Sequence, residues 1–499
     1  MLPLLERASQ HGELPAITDQ EGTYTYRELL VAAQQISAHL LRDIDDLEEA
    51  AVAFMVPPGL DYAAVQWGIW QAGGVALPLC ISHPPPELEY VIKDSDTQVV
   101  IAHPNYHDVL HPITTTQNIP LHLTSEIDRS ERSSFPRLNV DRRAMILYTS
   151  GTTGKPRGVV STHHNITIQI TTLVEAWQWT QNDRILHVLP LHHTHGIVNA
   201  LLCALWAGAN CEFLPGFEAV EVWDRFINKD FTLFMAVPTI YSKLTSRWEK
   251  ASPQERDRMS KSCSKLRLMV SGSAALPIDM FEKWHHISGH RLLERYGMTE
   301  IGMALSNPLQ GERRPGSVGL PLPGVQVRLT DESNQVITAA NQMGEIQVKG
   351  PGIFKEYLGR PEATKKAFLD GWFRTGDEAK LENGYYRILG RSSVDIIKTG
   401  GHKISALEIE EVFRTHPLIE ECAVVGIPDE EWGERVCSAL ILGSDVSSVP
   451  DDLRRWGKER LAPYKVPTEF LTVTEFPRNA MGKVIKPTIR GWFQSHRSG

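Results

Sequence analysis

Residues 148–158, Tyr-Thr-Ser-Gly-Thr-Thr-Gly-Lys-Pro-Arg-Gly, concentrate the groups that bind phosphate. Three glycines let backbone N–H groups approach an anion, four hydroxyls donate hydrogen bonds, and Lys155 and Arg157 offset negative charge. The segment is not a Walker loop, because its glycines are too close together and a proline follows the lysine. A polar surface turn is the alternative, but the apolar run 144–147 predicts a strand, and α/β proteins bind ligands at strand ends. We therefore predict a polyphosphate site.

Three histidines, His192, His193 and His195, follow the predicted strand 184–189. A metal site is one interpretation, but the spacing is not H-E-x-x-H, and side chains at a turn do not all face one point. We expect His195, which precedes Gly196 at the turn, to face a substrate, and the other two histidines to be structural.

Two further strand ends carry similar groups. The predicted strand 266–270 leads into Ser-Gly-Ser-Ala-Ala, and residues 291–297 lead into Met-Thr-Glu. Small residues allow a flat group to approach the backbone closely. Together with the strand ends near 149 and 190, these segments predict one ligand crevice.

Three residues have two interpretations each when they are considered alone. Lys243 is either an exposed helix lysine or a functional cation. Asp377 is either a turn aspartate or the carboxylate that holds the hydroxyl pair of a sugar. Lys483, after Gly482, is either a solvated lysine or a mobile ammonium at an exposed tip.

The surrounding elements predict an α/β fold. Strand and helix alternate, so we expect helix-covered, mostly parallel sheets in a large N-terminal domain. Residues 103–140, rich in Pro, Thr, Ser and His, suggest a long irregular connection. From Arg314 onward, the Pro/Gly-rich composition indicates a small β subdomain. The pattern of residues 391–499 indicates a second, α+β domain with a helix capped by Ser405.

Composition narrows the class of protein. The chain has 499 residues, a net charge of -9 and six cysteines without C-x-x-C spacing. These features favour a multidomain enzyme with free thiols, small-molecule substrates and no nucleic-acid partner. The N-terminus lacks the pattern of a signal or organelle-targeting peptide, and the longest apolar run is too short to span a bilayer. We expect a cytoplasmic protein that does not enter a membrane.

Six segments resemble, in order, the motifs of the adenylate-forming superfamily, which includes acyl-CoA synthetases, peptide-synthetase adenylation domains and luciferases. They are residues 148–158, 294–300, 375–377, 390–391, 399–401 and 479–483. The resemblance covers nearly the whole chain. Within the superfamily, residues 192–196 and 269–277, together with Arg295, most resemble the malonyl-CoA synthetase branch.

The resemblance implies two half-reactions. A carboxylate attacks the α-phosphate of ATP, giving acyl-AMP and pyrophosphate, and the CoA thiol then displaces AMP. Mg²⁺ is the implied cofactor, and CoA is the cosubstrate. The implied ATP-binding residues are Thr149, Ser150, Gly151, Thr152, Thr153, Gly154, Lys155, Ser271, Gly272, Ser273, Tyr296, Gly297, Met298, Thr299, Asp377, Arg391 and Lys483.

The implied roles follow the chemistry of each group. The hydroxyls and lysine of the phosphate loop would bind the β- and γ-phosphates, and Glu300 would hold Mg²⁺. Thr299 would contact the α-phosphate, and Lys483 would bridge that phosphate and the attacking carboxylate. Residues 271–273 with Tyr296 would flank adenine. Asp377 and Arg391 would hold the ribose.

The resemblance also implies domain movement. Residues 1–390 would form the adenylation domain, 391–395 the hinge and 396–499 a mobile C-terminal domain. The hinge has one residue more than is usual in the family between Gly-Arg and the following aspartate. Rotation would remove Lys483 and bring the CoA-binding residues Thr399, Gly400, Gly401 and His402 to the site.

Substrate choice is expected to depend on Arg295 and His195, with Ser271 and Lys243 as further substrate-binding candidates. A dicarboxylate such as malonate keeps a second anion in the pocket, and the arginine fork suits it. The alternative for Arg295 is a structural salt bridge to a neighbour such as Glu294. Some malonate-activating relatives have arginine near the position of Lys243, and lysine keeps the charge without the bidentate geometry.

Other functions remain open at this point. The chain would be a malonate– or methylmalonate–CoA ligase, a ligase for another short acid, an adenylating enzyme that loads a carrier protein, or a nucleotide-binding regulator without catalysis. The presence of Lys155, Glu300 and Lys483 argues against a regulator. We expect a monomer or a weak homo-oligomer.

Overall fold

The computed structural model of the protein describes residues 2–128, 132, 134–149, 155–443, 453–478 and 483–497. Residues 150–154 of the phosphate loop and 479–482 before Lys483 therefore lie outside the described residues. No helix in the described ranges is long and apolar enough to cross a membrane.

Helices occur along the whole described chain. They are α1 (Pro3–Ser9), α2 (Tyr26–Leu40), α3 (Leu60–Gln71), α4 (Pro85–Asp94), α5 (His107–Gln117), α6 (His163–Ala176), α7 (Cys203–Ala207), α8 (Ala219–Asn228), α9 (Pro238–Glu249), α10 (Pro253–Cys263), α11 (Ile278–Ser288), α12 (Pro361–Ala367), α13 (Ala406–Phe413), α14 (Leu453–Lys458) and α15 (Lys486–Arg497), with a π-helix at His195–Leu202.

Short strands alternate with these helices in the first half of the chain. The strands are β1 (Pro15–Thr18), β2 (Thr23–Thr25), β3 (Ala51–Met55), β4 (Val75–Pro78), β5 (Val99–Ala102), β6 (Leu121–Leu123), β7 (Arg143–Thr149), β8 (Arg157–Thr162), β9 (Arg184–His187), β10 (Asn210–Phe213), β11 (Leu233–Ala236), β12 (Leu268–Ser271), β13 (Leu293–Met298), β14 (Gly302–Ser306), β15 (Leu320–Pro321), β16 (Gln326–Thr330), β17 (Gly344–Lys349), β18 (Glu356–Tyr357), β19 (Phe368–Leu369), β20 (Trp372–Glu382), β21 (Tyr385–Arg391), β22 (Ile396–Thr399), β23 (His402–Ser405), β24 (Ile419–Asp429), β25 (Gly433–Leu442) and β26 (Glu469–Thr472).

The described strands form four sheets. Two large sheets, β15-β14-β13-β12-β11-β9-β10-β1-β2 and β18-β8-β7-β4-β3-β5-β6, have parallel centres. Both edges of the first sheet are antiparallel, whereas the second has an antiparallel edge at β18 and β8 and a parallel edge strand, β6. A small antiparallel sheet contains β16, β17, β19, β20 and β21. The C-terminal sheet, β23-β22-β25-β24 with β26 on β25, has its own apolar cores. The predicted fold class, a large N-terminal domain of helix-covered, mostly parallel sheets with a small β subdomain and a small C-terminal α+β domain, is confirmed.

Local signals account for several element boundaries. Thr25 and Thr162 cap α2 and α6, and both form reciprocal capping boxes. Ser405 accepts a hydrogen bond from the backbone N–H of Glu408 at the start of α13. Strands such as β3 and β12 are buried along their whole length and are almost entirely apolar, as is typical of strands covered on both faces.

The predicted irregular connection at 103–140 is wrong in its first part. Residues His107–Gln117 form α5, although Pro112 lies inside it. Leu110, Ile113 and Thr114 bury one face at helical spacing, so packing outweighs the local cost of the proline. The short strand β6 then extends the second large sheet.

Candidate active site

Arg295 lies on β13 and is 4% exposed. Its guanidinium packs on Gly272, the residue after β12, so closely that a Cβ at that position would lie 2.4 Å from the Arg295 Cζ. Glycine is therefore required there by the arginine. The Nε and Nη2 atoms are buried and have no hydrogen-bond partner among the described residues.

His195 faces the same place from the start of the π-helix. Its Nδ1 lies 3.2 Å from the Ser273 Oγ, and its buried Nε2 has no partner in the described part of the chain. Burial, and then the charge of Arg295, lower the pKa of His195 well below its usual value. The imidazole is therefore neutral near pH 7, with one nitrogen able to accept and the other to donate.

Glu294 does not form the alternative salt bridge with Arg295. Adjacent residues on a strand point to opposite faces, and the Glu294 Oε1 accepts a hydrogen bond from the Leu276 N–H over 3.1 Å. Burial raises the pKa of Glu294 to about 8, so this carboxyl is mostly protonated at neutral pH. Burial lowers the pKa of Arg295 to about 10, so the guanidinium stays charged.

Buried N–H groups without partners are rare in folded proteins, and each one needs a reason. The Nε and Nη2 groups of the Arg295 guanidinium are two such donors. Together with a neutral imidazole and the hydroxyl of Ser273, they form a set of donors for one anion. Ser271 adds a fully buried Oγ that also lacks a partner among the described residues. The structure thus brings together Arg295, His195 and Ser271, three of the four residues predicted for the substrate pocket, with Gly272 and Ser273, which were predicted to flank adenine.

The predicted ribose and adenine residues also meet. Asp377 on β20 accepts a hydrogen bond from the Tyr296 hydroxyl over 2.6 Å and another from the Arg391 Nε over 2.9 Å. Burial, followed by the Asp377 charge, raises the pKa of Tyr296, so its hydroxyl remains a donor. Gly297 must be glycine, because a Cβ would lie 2.0 Å from the Gly302 carbonyl oxygen.

Glu300 lies just beyond β13 and is 6% exposed. Its Oε1 accepts a hydrogen bond from the Tyr357 hydroxyl over 2.9 Å, and burial raises its pKa. Met298 and Thr299 connect it to the strand and are partly exposed. Sequence reasoning missed Tyr357, which holds the carboxylate from a strand 57 residues away and carries no local signal.

The phosphate loop starts where β7 ends, at Thr149, and its last residues lead into β8. Lys155 is exposed, and its Nζ lies 5.2 Å from the centre of the Tyr90 ring. The predicted phosphate ligands Ser150, Gly151, Thr152, Thr153 and Gly154 lie outside the described residues.

Lys483 is exposed and lies near the predicted hinge. Burial alone would raise the pKa of Asp395, but the charge of Lys486 and, to a smaller extent, that of Lys483 lower it. The Lys486 Nζ lies 2.6 Å from the Asp395 Oδ1 and 2.7 Å from the Glu410 Oε1. Sequence reasoning missed this buried triad, whose only local sign is the second lysine three residues after Lys483.

The predicted CoA residues form the turn between β22 and β23. Gly400 and Gly401 have φ of +54° and +79°, values that favour glycine, and Gly400 lies under the Trp432 ring. His402 stacks on Tyr464 with ring centroids 4.3 Å apart. Thr399 is buried, and the described contacts of this turn do not involve the Arg295 pocket.

Three candidates lie outside the Arg295 pocket. Lys243 is exposed on α9, with its Nζ 5.8 Å from the centre of the Phe217 ring. His192 and His193 pack on each other with centroids 4.0 Å apart. The described residues contain no group of three or more His, Cys, Asp or Glu side chains that could hold a metal ion.

Comparisons with known proteins agree with this geometry. The profile described as AMP-binding enzyme matches residues 4–358, and that of the AMP-binding enzyme C-terminal domain matches residues 408–483. The mouse (Mus musculus) protein "Malonate--CoA ligase ACSF3, mitochondrial" is 47% identical, over 98% of this chain and 90% of its own length.

Solved structures are similar along the whole chain. ATP-bound MatB from Rhodopseudomonas palustris has a TM-score of 0.90 and 33% identity, covering 99% of this chain and 100% of that one. A malonyl-CoA ligase in a ternary product complex with methylmalonyl-CoA and AMP has a TM-score of 0.70 and 35% identity, covering 96% of this chain and 100% of that one. The chain belongs to the AMP-binding enzyme family of adenylate-forming proteins.

Proposed function

We propose that this protein is an AMP-forming acid–thiol ligase that converts malonate, ATP and CoA into malonyl-CoA, AMP and diphosphate. The observation that carries the choice of acid is the buried guanidinium of Arg295, whose Nε and Nη2 have no partner among the described residues. An apolar acid would leave this charge uncompensated, whereas the second carboxylate of malonate pairs with it. The malonate–CoA ligases among the relatives support the same substrate.

In the first half-reaction, one malonate carboxylate attacks the α-phosphate while Arg295 and His195 hold the other. The neutral imidazole of His195 donates one hydrogen bond without adding a second charge. Tyr296, Asp377 and Arg391 hold the nucleoside, and the loop around Lys155 takes the negative charge of the leaving pyrophosphate. Lys483 stabilises the charge that develops between the carboxylate and the α-phosphate.

Glu300 would hold a magnesium ion, and Thr299 would contact the α-phosphate. Mg²⁺ is usually held by one or two carboxylates together with substrate oxygens, and Glu300 offers one buried carboxylate at the expected strand end. The ion would supply charge neutralisation on the phosphates. Tyr357 would keep the Glu300 carboxylate oriented from behind.

In the second half-reaction, CoA attacks the acyl carbon after the C-terminal domain, residues 396–499, rotates about 391–395. The higher TM-score with ATP-bound MatB, 0.90, than with the ternary product complex, 0.70, supports an arrangement suited to adenylation. The turn Thr399–His402 would then move to the acyl-adenylate and guide the CoA thiol.

A substrate panel tests the proposal. Thioester formation is measured with malonate, methylmalonate, acetate and a long-chain acid at fixed ATP, Mg²⁺ and CoA concentrations. We expect malonate to have the highest kcat/KM. A preference for acetate or the long-chain acid would contradict the dicarboxylate assignment. Release of pyrophosphate without use of free CoA would favour the loading of a carrier protein instead.

The cellular setting is part of the proposal. Malonyl-CoA is a building block for fatty acids, so we assign the enzyme to fatty-acid metabolism. We keep the expectation of a cytoplasmic monomer or weak homo-oligomer, although the similar mouse protein carries the word mitochondrial in its name. Fractionation of the native cells and light scattering of the purified protein test these two expectations.

A further inference from the structure

Both ends of the phosphate loop are tied to one helix. Before the loop, the Tyr148 hydroxyl donates to the Asp94 Oδ2 over 2.9 Å. After it, the Pro156 carbonyl accepts from the Tyr90 hydroxyl over 2.8 Å, and the Lys155 ammonium lies over the same ring. Tyr90 and Asp94 are four residues apart on α4, so they share one face of the helix. One short stretch of helix therefore holds the entry and the exit of the loop.

Arg360 joins the two anchors to each other. Its Nη2 lies 2.7 Å from the Asp94 Oδ1 and 3.4 Å from the Tyr90 hydroxyl. Its Nη1 donates to the Leu358 carbonyl, and the Leu358 N–H donates to the Gly158 carbonyl on the strand that leaves the loop. The arginine thus connects α4, the loop stems and the segment after β18 in one network.

The partial burial of this network distinguishes it from a single ion pair on the surface. The Arg360 and Asp94 side chains are 31% and 16% exposed, and the arginine makes three directed contacts instead of one. A single exposed pair would contribute little, but a half-buried arginine with several fixed acceptors holds its partners in one geometry. The pairing of β18 with β8 brings the segment before Arg360 next to the strand that leaves the loop, and the arginine extends this contact to α4.

We propose that Arg360, with Asp94 and Tyr90, is a positioning element that fixes the stems of the phosphate loop and thereby sets its affinity for the polyphosphate of ATP. Stems that are held in one geometry before binding reduce the conformational entropy that is lost when ATP binds. The proposal rests on the proposed function only in naming ATP as the ligand.

A positioning role and a merely structural role differ in which kinetic constant they change. The loop contacts the β- and γ-phosphates in the bound ground state as well as in the transition state. Loosening it should therefore raise the KM for ATP more than it lowers kcat. A general loss of folding stability would instead affect all three substrates and the melting temperature together.

The main experiment compares Arg360→Met and Arg360→Lys in steady-state kinetics. We expect Arg360→Met to raise the KM for ATP about tenfold, the equivalent of one charge-assisted contact, with the KM for malonate and CoA within about twofold of wild type. Arg360→Lys should recover part of the loss, because it keeps the charge near Asp94 but cannot reach Tyr90 as well. Asp94→Asn should resemble Arg360→Met, and the double variant should be no worse than either.

Arg225 offers a matched control. It is 32% exposed, pairs with Glu212 over 2.8 Å, and lies on α8. Arg225→Met removes a comparable ion pair and should leave the KM for ATP unchanged. If Arg360→Met does not fold, Tyr148→Phe and Tyr90→Phe each remove one hydroxyl and should each weaken ATP binding about threefold.

Equilibrium binding of ATP, measured without any acid or CoA, separates this proposal from the proposed function. An Arg360→Met protein with wild-type ATP affinity overturns the positioning role, whatever the acid substrate is. So does a variant whose constants for all three substrates change alike, with the same loss of melting temperature as Arg225→Met. If the wild-type protein does not turn over malonate while Arg360→Met clearly lowers the affinity for ATP, only the proposed function is contradicted.

Discussion

Replacing Arg295 by methionine removes a buried charge and keeps an unbranched side chain of similar length against Gly272. Burial lowers the pKa of this guanidinium from 12.5 to about 10. At about 1.36 kcal/mol for each unit, the protein holds the charge at a cost of roughly 3 kcal/mol. The fold therefore gains nothing from the arginine by itself, and we expect the Arg295→Met protein to be at least as stable as wild type.

The effect on malonate should be opposite and large. A carboxylate that pairs with the buried guanidinium compensates the charge, and breaking such a pair from one side costs roughly 3–5 kcal/mol. This corresponds to a loss of about 10²- to 10⁴-fold in kcat/KM for malonate. Acetate has no second carboxylate, so its kcat/KM should stay the same or rise. Arg295→Lys should lie between the two, because it keeps the charge without the fork.

Pyrophosphate release in the presence of CoA measures both acids with one assay, and a melting curve accompanies each variant. Arg313→Met is a suitable control, because burial also lowers the pKa of Arg313 while its guanidinium donates to backbone carbonyls. One result would contradict this reasoning: the Arg295→Met protein keeps the wild-type melting temperature, and its ratio of kcat/KM for malonate to kcat/KM for acetate stays within about threefold of wild type. Arg295 would then not bind the second carboxylate, and the proposed basis of selectivity would be wrong.

Three further variants test pH dependence and the CoA turn. The pKa of Glu294 is raised to about 8 in the folded protein, so the protonated carboxyl stabilises the fold fully below about pH 4.5 and this contribution is lost as the pH rises toward 8. Glu294→Gln should therefore raise the melting temperature at pH 8 and change it little at about pH 4.5. Burial lowers the pKa of His163 to about 3, so the free energy of unfolding decreases as the pH falls below about 6.5. In urea titrations, His163→Phe should make this decrease smaller by up to about 1.4 kcal/mol for each pH unit. Gly400→Ala strains a residue at φ +54° and places a Cβ 3.1 Å from the Trp432 ring. In single-turnover assays, we therefore expect thioester formation to be about tenfold slower and adenylation to be unchanged.

The chemistry of the site was predictable from the sequence where it depends on short segments. Glycine, hydroxyl and cationic groups at strand ends mark a phosphate loop, and an arginine beside the aromatic nucleotide motif marks the acid pocket. Parallel strands bring their carboxyl ends to one edge, which is why Ser271 and Arg295 meet on neighbouring strands. The structure also adds the reason for Gly272, since the guanidinium occupies the space of any Cβ there.

Other features depend on pairs that no local pattern reveals. Arg360 reaches Asp94 across 266 positions, and Lys486 reaches Asp395 from the far end of the C-terminal domain. The helix α5 was missed because propensity gives weight to its proline and threonines, whereas its burial against the second sheet decides the outcome. Sequence thus predicts which candidate site residues lie together, such as Arg295, His195 and Ser271, better than the distant partners that hold the surrounding elements.

The choice of acid follows from a charge that the protein alone does not neutralise. Arg295 keeps its guanidinium in a buried pocket, where Nε and Nη2 find no acceptor among the described residues. His195 does not compensate this charge, because its lowered pKa keeps the imidazole neutral and a protonated imidazole would be a second cation. A monocarboxylate that enters with an apolar tail leaves the guanidinium both desolvated and unpaired. We therefore expect the pocket to disfavour such an acid through the free energy of this unpaired charge and not through its shape. Lengthening the tail would not restore affinity, and we expect selectivity against acetate and against long-chain acids to have this same electrostatic origin.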